Sequence, residues 1–206
     1  MGISSDQRFR VLHALRIKGF AKVDVLSELS GLPGHEVEHH LVTLQGDELA
    51  MFREARALWQ LSPRGREAHG CALADDVQQA GLREGLRSNY DPFLELNDVF
   101  KALCGDWQLR DGNPNDHADP DYDTAVIGRL GGIDDRVQPL VQSMGGAVER
   151  FGGYAPRLAD TAGKVASGDH HLFTGVMCGS YHDIWMELHE DLILSLGIDR
   201  AKEGSF

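Results

Sequence analysis

Between Asp24 and Leu61 the spacing of the apolar residues changes twice, and no other stretch of the chain restricts the fold so strongly. Val25, Leu26 and Leu29 fall at helical intervals within a short helix from Asp24 to Ser30, and Gly31-Leu32-Pro33 then breaks the rhythm. Val37, Leu41 and Leu44 resume it at i, i+4 and i+7, which predicts a second helix from Gly34 to Gln45 with one buried stripe. Two short runs follow, Leu49 to Phe52 and Leu58 to Leu61, and these predict a small hairpin with Glu54-Ala55 at its tip.

The flanks extend the pattern. Phe9, Leu12 and Leu15 mark a first helix from Asp6 to Lys18 that Gly19 ends, and Phe20 to Val23 reads as extended before Asp24 caps the next helix. After the hairpin, Ser62 can cap a further helix with Pro63 at its first position. This succession of helix, turn, helix and hairpin wing resembles the winged helix-turn-helix of MarR-like bacterial transcription factors, over about the first third of the chain. The resemblance implies double-stranded DNA as the partner, read by a homodimer. It places His35, His39, Val42 and Thr43 on the face of the second helix that would enter the major groove, with Arg53 and Arg56 on the wing and Arg64 beside it. That helix face carries no Arg or Lys, a departure from the family pattern.

Charge divides the chain in the same place. Residues 1–70 hold 9 Lys and Arg against 9 Asp and Glu, which leaves 11 against 23 for residues 71–206 and puts the whole net charge of −12 in the second part. Phosphate binding needs cations, so any nucleic-acid contact belongs to the first part. We therefore expect a reader domain over residues 1–72, a linker from His69 to Asp76 and a helical domain over residues 77–206. The expected fold class is mainly α, a winged helix-turn-helix followed by a helical bundle.

In the second part, Val77 to Ser88 is helical in pattern, and Asp91 with Pro92 reads as the start of a stronger helix carrying Phe93, Leu96, Phe100, Leu103 and Trp107. Arg110 to Thr124 reads as a solvated acidic loop. Asp119 to Asp123 begins like a calcium-binding loop, but Thr124 and Leu130 stand where glycine and a bidentate glutamate are required. Val137, Val141, Met144, Val148 and Phe151 form a seam suited to a bundle contact or to a dimer, and Gly145-Gly146 within it suggests close approach of another backbone. The last helix is expected from about Asp169 to Leu196, with His171, Cys178, His182 and His189 in one column. Phe93, Asn97 and Trp107 on one helix and Tyr181, His182, Trp185 and His189 on the other would, if the faces meet, form either a small-molecule pocket or a filled core.

Several function classes lose support. Neither phosphate-binding glycine loops, nor a nucleophile elbow, nor a zinc-protease motif occurs, and the three cysteines lack zinc-knuckle or disulfide spacing. No enzyme activity, cofactor or resident metal is expected. The N-terminus lacks signal-peptide character and no apolar run spans a membrane, so a cytoplasmic protein is expected. The reading is a ligand-responsive, homodimeric transcriptional regulator binding an unidentified small-molecule effector. The alternatives are a winged-helix adaptor that binds protein, and a helical metal sensor or enzyme built on the histidine column with a carboxylate such as Asp98.

Overall fold

The computed structural model describes residues 6–79 and 82–199. Helix α1, Gln7–Lys18, is capped by the Asp6 carboxylate, which accepts from the Phe9 amide at 3.1 Å, and Gly19 closes it. Strand β1, Phe20–Ala21, leads into α2, Val23–Ser30. Asp24 lies inside the first turn of α2 rather than capping it, because Lys22 takes the extended cap position; its charge still faces the positive end of the helix. Gly31 adopts φ +66, a left-handed conformation that favours glycine, at the turn into α3, Gly34–Gly46. Strands β2, Ala50–Arg53, and β3, Leu58–Leu61, form an antiparallel hairpin around one turn of 3-10 helix, Glu54–Arg56. β1 pairs with the other edge of β3, giving the order β1-β3-β2. Leu15, Leu26, Val37, Leu41 and Leu44 are fully buried at the centre of this unit.

Helix α4, Pro63–Gln79, starts as the sequence suggests: the Ser62 hydroxyl accepts from the Gly65 amide at 2.9 Å, with Pro63 in the first turn. It then runs straight through the expected linker at His69 to Asp76. His69, Leu73 and Val77 recur every fourth residue and are buried, and the last two pack against Phe9. Residues 80 and 81, inside the expected Val77 to Ser88 helix, lie outside the described residues.

Helix α5, Leu82–Gln108, continues past Pro92 without a break, so Asp91 is no cap. Leu86, Tyr90, Phe93 and Leu96 are buried on one stripe across the proline, and their packing outweighs the roughly 3 kcal/mol that an interior proline costs. A two-residue hairpin, β4 Leu109–Arg110 with β5 Asn113–Pro114, precedes α6, Pro120–Ala147. The acidic loop is thus partly folded. Asp119 caps α6 and pairs with Arg110 at 2.9 Å, and Asp123 is buried. A 3-10 segment, Glu149–Gly153, joins α6 to α7, Tyr154–Ala166.

The helix expected from Asp169 to Leu196 is two helices, α8 His171–Thr174 and α9 Tyr181–Leu196. Gly175 to Ser180 is non-helical, so His171 and Cys178 leave the column formed by His182 and His189. The seam of Val137, Val141, Met144, Val148 and Phe151 is buried within the chain, with α6 packed on α5 and α7, and so offers no dimer surface. The protein is mainly helical with a small three-stranded antiparallel sheet, and among the described residues no helix is long and apolar enough to cross a membrane.

The close approach expected at the glycine pair is found at one of its two members. A Cβ on Gly145 would lie 2.8 Å from Gly152 Cα, whereas one on Gly146 would meet nothing within 4 Å. Gly145→Ala should therefore destabilise the protein by about 1–3 kcal/mol through overpacking. Gly146→Ala should be neutral or stabilise it by up to about 1 kcal/mol, through helix propensity. Urea unfolding of the two variants checks this opposition.

Candidate functional site

Three regions carry the residues that the sequence singled out. The first is the outer face of α3. His35, His39, Val42 and Thr43 are all exposed there, with Val42 at 64%. The inward stripe of Val37, Leu41 and Leu44 fixes this orientation, because helical periodicity turns the intervening positions outward. Thr43 donates to the His39 carbonyl at 3.0 Å, which holds its hydroxyl on the helix. Arg53 and Arg56 project from the hairpin tip, while Arg64 pairs with Glu48 at 2.9 Å.

The second region is where α5 and α9 meet. The expected juxtaposition of aromatic faces occurs: Phe93 and Trp185 stack at 5.0 Å, Phe100 lies 4.6 Å from Trp185, and the Trp185 indole donates to Asn97 Oδ1 at 2.9 Å. Phe93, Tyr181 and Trp185 expose no surface, so no space as wide as a water molecule adjoins them. His189 is buried beside Phe93. The centre of this face is filled, and open space adjoins its two ends.

At one end Trp107 borders a 410 Å³ cavity with His117, His170 and His171. His117 Nδ1 faces the buried Asp123 carboxylate at 3.0 Å, and Asn115 donates to the same carboxylate at 3.2 Å and to the Trp107 carbonyl at 3.1 Å. A carboxylate only accepts, so this contact requires a hydrogen on His117 Nδ1. Among the described residues no three His, Cys, Asp or Glu side chains stand together as a metal site. At the other end, His182 borders a 680 Å³ cleft between α9 and the sheet unit, whose walls include Phe20, Leu58, Met177 and Met186.

The third region was not legible as a site. Helix α9 turns a second stripe, Glu187, Glu190 and Asp191, towards α1. His13 Nε2 lies 3.0 Å from Asp191 Oδ1, Arg16 pairs with Glu190 at 3.0 Å, and Lys18 pairs with Glu187. Arg157 reaches Glu187 at 2.8 Å and Glu28 of α2 at 2.7 Å. Arg150 donates to Asp76 of α4 at 2.6 Å and to Ser195 at 2.5 Å, with its Nε 3.5 Å from Asp191. His13 Nδ1 is 2.9 Å from His69 Nε2, and the two imidazoles share one hydrogen. The spacing of Glu187, Glu190 and Asp191 at i, i+3 and i+4 is the signal that could have revealed this face.

Burial pushes the Asp191 carboxyl up, but His13, Arg150 and the hydrogen bonds outweigh it and hold the group well below the usual carboxylate range. Burial, with positive charge at His13 and Arg16, lowers His69 to about 3. Comparison with protein families, curated proteins and solved structures finds no match for the chain.

Two predictions follow from these contacts. Trp185→Ala should cost about 3–5 kcal/mol in urea unfolding, the range for emptying a filled aromatic site. His69 is neutral in the fold and has an ordinary imidazole pKa when unfolded. Its contribution to stability is therefore complete above about pH 6.5 and is lost as pH falls towards 3. His69→Gln keeps an acceptor for His13 without a titrating proton, so its stability between pH 6.5 and 4 should fall by about 1.4 kcal/mol per pH unit less than wild type. Equal slopes would show that His69 does not titrate on unfolding.

Proposed function

We propose that the protein is a winged-helix transcriptional regulator, with residues 1–72 reading double-stranded DNA and the helical remainder carrying a response to a small molecule. The order of α1, β1, α2, α3, β2 and β3, with β3 between the other two strands, supports this reading.

The observation that carries it is the distribution of unneutralised cations. Of the nine Lys and Arg in residues 1–70, Arg8, Arg10, Arg16, Lys18 and Arg64 sit in ion pairs. Among the described residues Lys22, Arg53, Arg56 and Arg66 have no ion pair, and two of these four stand on the hairpin tip next to an uncovered α3 face. Cations left without carboxylate partners are available to displace counterions from phosphates. Two copies on a palindromic operator would have to pair through a surface other than the buried Val137 to Phe151 seam. The exposed Val42 on a face without Lys or Arg favours a second reading, in which α3 docks on protein instead.

Fluorescence anisotropy with DNA from the promoter of the protein's own operon, at two salt concentrations, tests the first reading. Binding should weaken steeply with salt, and Arg53→Ala with Arg56→Ala should weaken it on every sequence and reduce the log–log salt slope by roughly 2. An unchanged slope in the double variant removes the wing from the interface, and the absence of any salt-dependent binding favours the protein-docking reading.

A further inference from the structure

The 680 Å³ cleft between the sheet unit and α9 has features that the fold itself does not require. Among the described residues eight large hydrophobic side chains are exposed, and four of them line this one cleft: Phe20 at 49%, Val176 at 78%, Met177 at 84% and Met186 at 39%. Scattered apolar exposure is ordinary, but convergence on one concavity is not.

The exposure is also built. The segment Gly175 to Ser180 is held by the Asp183 carboxylate, which accepts from the amides of Met177 at 3.3 Å, Cys178 at 2.9 Å and Gly179 at 3.0 Å. Ser180 adds a hydrogen bond to the Gly175 carbonyl at 2.5 Å. Met177 sits at φ +58, a conformation unfavourable for a residue with a Cβ, and it points its thioether side chain into solvent. Bonds, strain and exposure together maintain an apolar wall opposite Phe20 and Leu58.

Most charges of the lining are already matched. Lys18 is paired with Glu187, Glu187 also with Arg157, and Glu190 with Arg16; Asp183 takes three amides, and Asp24 accepts from the Val25 amide at 2.9 Å at a helix start. A ligand carrying several charges would have to break these pairs and leave their partners uncompensated, whereas Lys22, which has no ion pair among the described residues, and His182 Nδ1, buried without a hydrogen-bond partner, leave room for a single polar group. The rest of the wall is apolar: Phe20, Leu58, Val176, Met177 and Met186. The volume lies within the range for a drug-sized molecule, and the position between two packed units is one where such sites occur.

We propose that this cleft binds one largely apolar small molecule, and that it is the effector site of the regulator proposed above. A bound molecule touches Phe20 and Leu58 of the sheet unit and Met177 and Met186 of the bundle at once, directly over the Lys18–Glu187 and Arg16–Glu190 pairs. It therefore bears on the angle between DNA reader and bundle. The inference rests on the regulator reading, but its first test contains no DNA.

N-phenyl-1-naphthylamine, a neutral apolar fluorophore, should bind the full chain saturably at one site per chain. Phe20→Glu and Met177→Glu, on opposite walls and at exposed positions that fold tolerates, should each weaken binding at least tenfold, whereas Val99→Glu on the far surface of α5 should leave it unchanged. Binding that all three variants share with wild type, or no saturable binding, overturns the site. So does a wild-type dimer in sedimentation that Met177→Glu dissociates, because a second copy would then cover the cleft. With the probe bound, a shift of the DNA-binding curve supports the effector role and an unshifted curve overturns it. Loss of DNA binding with and without probe overturns the regulator reading while probe binding stands.

Discussion

The structure turns on a single buried carboxylate. Asp191 lies in the middle of α9 with 1% of its surface exposed, and burying an uncompensated carboxylate would cost several kcal/mol. Its partners come from different parts of the chain: His13 from α1, Arg150 from the 3-10 segment after α6, Tyr154 from α7 and Ser195 from its own helix. Arg150 then reaches Asp76 of α4, and His13 reaches His69 of α4. Each charge has one arrangement that satisfies it, so the network prescribes how the helices stack as much as it stabilises them. Replacing such a network with apolar residues would often be tolerated energetically. What would be lost is the single register between α1 and α9, because apolar contact alone is indifferent to sliding.

That dependence explains which parts of the fold could be read in advance. Residues 6–63 were legible because local signals agree with tertiary ones: Asp6 and Ser62 cap, Gly19 and Gly31 end helices, and the apolar spacing switches where the structure switches. Errors appear where long-range packing overrides a local breaker. Pro92 looks like a helix start and is instead swallowed by α5, since Tyr90 and Phe93 on either side of it are both buried against the bundle. His69 to Asp76 looks polar enough for a linker, but the stripe of His69, Leu73 and Val77 binds that stretch to α1. The stretch before Tyr181 looks helical by composition, yet Asp183 draws three amides out of helical pairing.

The functional surfaces were legible to different degrees for related reasons. The outer face of α3 follows from periodicity alone, since placing Val37, Leu41 and Leu44 inside leaves His35, His39, Val42 and Thr43 outside. The aromatic faces of α5 and α9 meet at Phe93, Phe100 and Trp185, but composition cannot distinguish a filled contact from a lined cavity; the difference is a matter of ångströms between these rings. The exposed Met177 had no sequence signal at all. An isolated methionine reads as core, and only the backbone held by Asp183 turns it outward.

The same ionic contacts limit how a signal could pass between the two cores. Leu29 of α2 touches both large apolar clusters and Leu194 of α9 packs on the small cluster of Phe9, while directional pairs join α1 to α9 from His13–Asp191 through Arg16–Glu190 to Lys18–Glu187. A small slide along this line does not stretch one bond gradually. It spoils several geometries together and leaves buried charges unmatched, so the pairs hold the two helices in one register. Helix α2, and through it the turn into α3, is tied to the same line by the Arg157 bridge from Glu28 to Glu187. Side chains in direct contact thus connect α9 to α2, which the turn at Gly31 joins to α3.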